Sequence, residues 1–212
     1  LPAGAGTWNA ALRWRRLRNR SVADEPDRLR NSGNHLVPAG EAGTKVNLPR
    51  IRPARTPDVR AIRGLIDEYS GDGHLLAKAA VTIFEDIQEF VVVEVDGEVV
   101  GCGALHVMWE DLAELRTVAV AGRHVRSGIG SMVVTELIQR ARDLGIRRLF
   151  CLTFMVDFFV EHGFDEIDEA PVDHDVYEQL LQSYDEGVAE FLGLERVKPN
   201  TLGNHRMLLK LR

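Results

Sequence analysis

The stretch ELRTVAVAGRHVRSGIGS, residues 114–131, decides how this chain is read. Its early part, Arg116–Val120, is a β-branched strand that runs into a short loop rich in glycine and arginine. Beyond the loop, Ile129, Val133, Leu137, Ala141 and Leu144 recur mostly four apart, which predicts a helix with these residues on its buried face. A strand, a glycine loop and a helix start together form an anion cradle, because the first backbone N–H groups of a helix lack internal partners and present its positive end. Gly128 and Gly130 have no Cβ to hold a pyrophosphate away from those amides. The segment therefore predicts a phosphate-bearing cofactor.

Working outward, FVVVEV-DG-EVVGCGAL (90–105) predicts a hairpin with Asp96-Gly97 as its two-residue turn. Earlier still, residues 51–54 read as a short strand. Thr56-Pro57-Asp58 reads as a helix start, with the threonine hydroxyl at the N-cap and proline in the first helical position. Val59, Ile62, Leu65, Ile66 and Tyr69 form that helix's apolar face, and a second helix is expected over Ala79–Ile87. Downstream, Gly145 closes the long helix. Arg148–Phe154 follows as a strand, 158–162 as a short helix and Asp165–Ile167 as a strand, with a helix near Asp173–Tyr184 and a last strand at His205–Leu211.

The order β-α-α-β-β-β-α-β-α-β places the glycine loop after the fourth strand. A dinucleotide fold carries its glycine turn after the first strand and needs a third glycine, which Gly128-Ile129-Gly130 lacks. No GxxxxGK[ST] occurs, so a nucleotide triphosphatase is excluded as well.

Composition narrows the class further. The chain has 212 residues, 45% hydrophobic and 27% charged, the balance of an ordinary enzyme. No apolar run approaches the ~20 residues that span a bilayer. The two cysteines, Cys102 and Cys151, lie in apolar β-like stretches and read as buried small side chains in a reducing, cytoplasmic compartment. His106, His124 and His162 have no metal-like spacing, so no metal is expected. Residues 1–48 hold eight Lys+Arg against four Asp+Glu, leaving 18 against 28 in the remainder. An acidic body argues against nucleic-acid binding. Residues 1–48 are expected to be a disordered basic tail and residues 49–212 the folded, catalytic domain.

Val125-Arg126-Ser127-Gly128-Ile129-Gly130 resembles the pyrophosphate-binding loop, Q/R-x-x-G-x-G/A, of the GCN5-related N-acetyltransferase superfamily, with Val125 in place of Gln or Arg. FFVEHGFDEI (158–167) resembles a later motif of the same superfamily. More closely, GCGALH (101–106), ELRTVAV (114–120), LFCLTF (149–154), FFVEHGF (158–164) and KPNTLGN-RMLL (198–209) resemble the short actinobacterial amino-acid N-acetyltransferases. These are N-acetylglutamate synthases, acting at the first step of arginine biosynthesis.

The resemblance implies an α/β fold (α+β in some schemes), with a mixed, mostly antiparallel sheet whose fourth and fifth strands splay apart and with flanking helices. It implies acetyl-CoA as co-substrate, with Val118, Ala119 and Val120 pairing with pantetheine through their backbone and Arg126, Ser127, Gly128, Ile129, Gly130 and Ser131 cradling the phosphates. It implies L-glutamate as acceptor by direct transfer, with a homodimer as a compatible assembly. Another amino acid, a protein N-terminus, or a non-catalytic acyl-CoA sensor are the alternatives.

Acetyl transfer to an amine needs a base and an oxyanion stabiliser. Glu114, at the start of a mostly apolar strand, is the candidate base; otherwise it is a solvated strand-end member of the acidic run Glu110–Glu114. A tyrosine serves many superfamily members as acid toward the leaving thiolate, and its place falls on Phe159, so that acid is missing. A glutamate acceptor calls for cations, for which Lys78, Arg116, Lys198 and Arg206 are the candidates, Arg116 sharing a strand face with Glu114. Taken singly, each of the four reads more readily as a surface cation; as a set in so acidic a body they point to the acceptor.

Overall fold

The structure is a computed structural model that describes residues 48–71, 75, 77–168, 172–185, 188–189, 192 and 204–212. The chain divides into Leu1–Thr44 and Lys45–Arg212, and every described residue belongs to the second unit. The basic segment expected to be a tail therefore lies outside the described residues, save Leu48.

Seven strands form one sheet: β1 (Arg50–Pro53), β2 (Phe90–Val95), β3 (Glu98–Val107), β4 (Leu112–Val120), β5 (Arg148–Thr153), β6 (Asp165–Ile167) and β7 (His205–Lys210), in the order β1-β2-β3-β4-β5-β7-β6. All neighbours are antiparallel except β4 and β5. The helices are α1 (Val59–Ser70), α2 (Ala80–Glu85), α3 (Ile129–Asp143), α4 (Val156–Glu161) and α5 (His174–Leu180). The expected hairpin forms with Asp96 at φ 52° and Gly97 at φ 82°, the paired positive values that match the twist of the two strands.

Two local expectations are corrected. Thr56–Asp58 forms a 3₁₀ turn ahead of α1, and the threonine hydroxyl makes no cap. Asp58 does that work instead: its carboxylate accepts the Arg55 backbone N–H at 2.8 Å while the Arg52 guanidinium donates to both its oxygens at 2.7 and 3.0 Å. Charge-assisted bonds outcompete a neutral hydroxyl at the same place. Leu144, expected on the buried face of α3, is 61% exposed, because the helix ends at Asp143 and the chain turns at Gly145 with φ 82°.

The helix α3 lies against the face of β3 that carries Gly101 and Gly103. A Cβ there would sit 2.6 Å from Ile129 Cγ2 and 2.5 Å from Val133 Cγ1, so the two glycines set how near α3 approaches the sheet. Ile129, Val133, Leu137 and Ala141 are buried in the main core with Phe90, Cys102 and Phe164. A second cluster of Met108, Leu112, Phe150, Leu180, Val188 and Leu208 joins α5 and the chain after it to the sheet. Leu112, Phe150 and Leu208 alternate along their strands with Ala113, Cys151 and Met207 of the main core, so the two clusters occupy opposite faces here. Each large side chain so buried contributes about 1.5–3 kcal/mol.

Candidate active site

The fourth and fifth strands part company early. Their parallel ladder runs only from Leu112↔Arg148 to Glu114↔Phe150. Beyond it β5 continues with β7 as far as Thr153↔His205, and β4 stays with β3 as far as Val120↔Gly101. The edge of β4 from Leu115 to Val120 is thus unpaired by β5, which is the splay the resemblance implied. An unpaired edge offers backbone N–H and C=O groups to an extended, amide-bearing partner.

A bulge sets which side chains face which way. Cys102 pairs with Ala119 but Ala104 with Arg116, so β4 carries one residue more than β3 across this interval, and Thr117 takes φ 59°. A positive φ is strained for a β-branched residue and persists only where its surroundings impose it. The bulge leaves Glu114 and Arg116 on the face of the second apolar cluster. It turns Val118 toward Gly103 and Val133, and Val120 toward Gly130, both on the α3 face.

The glycine loop has the shape of an anion cradle. Arg126 and Gly128 take φ 70° and 86° on either side of Ser127, whose hydroxyl donates to the His124 carbonyl at 2.6 Å. Alternating backbone hand converges successive N–H groups into a concavity. The first α-helical bond of α3 runs from the Met132 N–H to the Gly128 carbonyl at 3.0 Å, so the amides of Ile129, Gly130 and Ser131 precede the helical ladder. A Cβ on Gly130 would meet the Phe158 ring at 3.5 Å, an ordinary contact, so the fold itself has room for a small side chain there. Two residues near the end of α1 hold the entrance: the Tyr69 hydroxyl donates to the Val120 carbonyl, and Glu68 accepts the Gly122 N–H at 3.2 Å.

At the mouth of the split stands Glu114, only 4% exposed, with its Oε2 lacking a hydrogen-bond partner. Solvation at a strand end is excluded. Burial pushes this carboxyl above the usual range and the Asp185 charge adds to that, while Arg116, His106 and Lys78 pull the other way. Arg116 Nη1 lies 3.8 Å from Glu114 Oε2. The same Nη1 donates to both oxygens of Asp185 at 3.0 Å, and Nη2 donates to Glu89 at 3.0 Å and to Asp86 at 3.4 Å. His106 pairs across the strands with Glu114 and sets its Nδ1 2.7 Å from Glu89. Burial lowers its pKa and Arg116 adds to that, but the Glu89 carboxylate and the Asp185 charge together outweigh them and raise it.

The acceptor cations expected from the sequence fare unevenly. Arg116 is beside Glu114 on the same face, but its Nη atoms are engaged by carboxylates of the protein itself. Lys78 is near enough to act on Glu114 electrostatically. Arg206 pairs with Leu152 and lies two residues before Leu208 of the second cluster, which puts it on the Glu114 face of the sheet. Lys198 lies outside the described residues. Asp86, Glu89 and Asp185 were not foreseen, and no motif marks them. The bulge did leave a trace, since Glu114-Leu115-Arg116 alternates polar and apolar and Thr117-Val118-Ala119-Val120 breaks that phase.

The aromatic motif is apportioned by packing. Phe159 points into the core, its ring centroid 5.3 Å from that of Phe164, while Phe158 is the ring beside Gly130. Neither carries a hydroxyl. Cys151 is buried, with its thiol raised well above the ordinary value by burial and by Glu114, and Cys102 is pushed up to about 12 by burial, so neither is a nucleophile. Among the described residues no group of three or more His, Cys, Asp or Glu could hold a metal ion, and no helix is long and apolar enough to cross a membrane.

Residues 60–164 match the Acetyltransferase (GNAT) family. An amino-acid acetyltransferase of Mycobacterium tuberculosis is 54% identical over 166 residues, covering 77% of this chain and 95% of that protein. An amino-acid acetyltransferase of Aeromonas salmonicida is 36% identical over 128 residues, which cover 58% of this chain but 29% of that longer protein. Among solved structures, a Mycobacterium tuberculosis protein in complex with CoA has a TM-score of 0.75 at 54% identity, covering 77% of this chain and 99% of that one. N-acetylglutamate synthase from Neisseria gonorrhoeae, complexed with coenzyme A and N-acetyl-glutamate, has a TM-score of 0.64 at 26% identity, covering 79% of this chain and 36% of that one. The chain belongs to the acetyltransferase (GNAT) family and is an acyltransferase.

Proposed function

We propose that this acyltransferase moves the acetyl group of acetyl-CoA directly onto the α-amino group of L-glutamate, in the cytoplasm, at the entry to arginine biosynthesis. The observation that carries the reading is the buried Glu114 carboxylate with an unpartnered oxygen, set where β4 leaves β5 and its open edge begins. Two of the relatives are named amino-acid acetyltransferase, and one solved neighbour is an N-acetylglutamate synthase complexed with N-acetyl-glutamate.

In this reading the diphosphate rests on the amides of Ile129, Gly130 and Ser131, and pantetheine extends along the backbone of Val118–Val120. Glu114 takes a proton from the α-ammonium of the acceptor, which frees the nitrogen lone pair to attack the thioester carbonyl. Backbone N–H groups on the open edge of β4 supply donors for the oxyanion, already oriented and costing no rearrangement. As the C–S bond breaks the CoA leaves as thiolate, and the second proton on the acceptor nitrogen passes to it directly or through water; no side-chain acid is needed, since thiols titrate near ~8.5 unassisted. That agrees with the phenyl rings of Phe158 and Phe159 in the aromatic motif. Lys78 and Arg206 are the cations assigned to the acceptor's carboxylates.

The engagement of Arg116 by Asp185 and Glu89 favours a second reading of the acceptor alone, in which an uncharged amino acid is also taken. One experiment tests both: thiol release from acetyl-CoA measured with each amino acid in turn. Turnover concentrated on glutamate supports the proposal; turnover absent with glutamate and present with another amine overturns it.

A further inference from the structure

Arg116 and Glu114 are two residues apart on one strand face, oppositely charged and both buried, yet they do not form a hydrogen bond. Their nearest atoms, Nη1 and Oε2, stand 3.8 Å apart, and Oε2 has no hydrogen-bond partner. Left to themselves, a guanidinium and a carboxylate this close in a dry site would close to a charge-assisted bond. What holds Nη1 off is Asp185, which takes two bonds from it at 3.0 Å.

Asp185 comes from far along the chain, after α5, and is itself well placed. Its backbone N–H donates to the Ser183 hydroxyl at 3.1 Å, and its Oδ1 accepts the Val188 N–H at 3.0 Å. Val188 is buried in the second apolar cluster with Leu112 and Phe150, which anchors the segment to the strands that bear Glu114. Asp86 and Glu89 take Nη2 from the opposite side, so the guanidinium is held by carboxylates from two separate elements.

We propose that Asp185 is a positioning residue for Glu114: by engaging Arg116 Nη1 it keeps that guanidinium from closing onto Glu114 Oε2, and so leaves this oxygen open to the acceptor's ammonium proton. The inference rests on the reading of Glu114 as the base. The charged and titratable groups around Glu114 are Arg116 on its own strand, His106 on β3, Lys78 ahead of α2 and Asp185 itself, with Asp86 and Glu89 on the far end of Arg116, Arg206 on the same face of β7 and the Cys151 thiol on the opposite face of β5. Asp185 stays ionised in this setting: burial works against it, but the Arg116 charge and hydrogen bonds hold its carboxyl below the ordinary range. Removing its charge acts on Glu114 in one direction twice over. A nearby negative charge is lost, and Arg116 is released toward the carboxylate; both favour the ionised form and make it a weaker base.

The test is the pH profile of kcat/KM in Asp185→Asn, with Asp185→Glu as companion and Glu114→Gln alongside. In Asp185→Asn the acid limb moves to lower pH and the plateau falls on the order of tenfold, while KM for acetyl-CoA holds. Asp185→Glu restores the limb. An acid limb at the wild-type pH in Asp185→Asn overturns the inference, while loss of turnover in Glu114→Gln keeps the base standing. Wild-type turnover in Glu114→Gln overturns both.

Discussion

The two halves of the site are built by opposite means. The cradle proposed for the diphosphate is one continuous segment, β4, the glycine loop and the first turn of α3, and would bind through backbone. The half proposed to accept the proton is made from side chains: Glu114 and Arg116 on β4, His106 on β3, Asp86 and Glu89 after α2, and Asp185 after α5. A backbone site tolerates changes of side chain that leave the amides accessible, which explains how Val125 can stand where the family motif has Gln or Arg. A side-chain site in a dry pocket tolerates almost none, because each charge is balanced against the others.

Substitutions should separate the halves, and the largest effect belongs to the base. Glu114→Gln should lower kcat by roughly 10²–10⁴-fold, with coenzyme affinity unchanged in a binding titration. Since Glu114 must be deprotonated to act, wild-type activity should fall as pH drops through its raised pKa, and the limb should lie above the ordinary carboxylate range. Equal activity of the variant and wild type at every pH would remove the carboxylate from the chemistry.

Next in size is Gly130→Val, which should weaken coenzyme binding by about 10–100-fold by keeping the phosphates from the helix amides. The fold should survive, because the space beside Phe158 admits the first added carbon at 3.5 Å. Isothermal titration with CoA, set beside thermal unfolding, checks both statements. Unchanged affinity in the folded variant would place the cradle elsewhere.

Arg116→Ala should act mainly on stability. It would leave Glu114, Asp86, Glu89 and Asp185 facing one another without their shared cation, at a cost on the order of 2–3 kcal/mol. Three of those carboxylates keep some contact with solvent, which holds the figure below that of a fully buried pair. Denaturant unfolding reads it, and a loss confined to KM for the acceptor would return Arg116 to the role of an acceptor ligand.

The smallest effect runs in the opposite direction. Burial raises the Glu114 pKa in the folded state, so the native protein keeps this proton to higher pH than the unfolded chain does. The stability this group provides is full below its unfolded pKa and is lost as pH rises through the folded value. Glu114→Gln should therefore be the more stable protein at neutral pH, by on the order of 1 kcal/mol, and the difference should vanish in acid. Scanning the melting temperature of both proteins across pH measures it.

How much of this was legible in advance follows the same division. The hairpin turn at Asp96-Gly97, the span of α3 and the glycine loop ahead of it could be read from residues next to one another, because turn chemistry, helical period and helix starts are local properties. The helix start at Thr56 was misread for a physical reason: Asp58 and Arg52 compete for the same position through stronger, charge-assisted bonds. Leu144 was misassigned because its spacing continued a pattern that the chain itself had ended at Asp143.

What the sequence determined by itself is the acetyltransferase architecture and the glycine loop proposed to receive the coenzyme, since both depend on residue types at short spacing. Only the tertiary structure decided how Glu114 and Arg116 relate. Sequence spacing put them on one face and suggested a base beside a substrate cation. Asp185, 69 residues beyond Arg116, turns the cation aside and leaves the carboxylate oxygen unpartnered. Charges buried together settle their partners by distance in space, and that distance is fixed by how α5 and Val188 pack on the sheet.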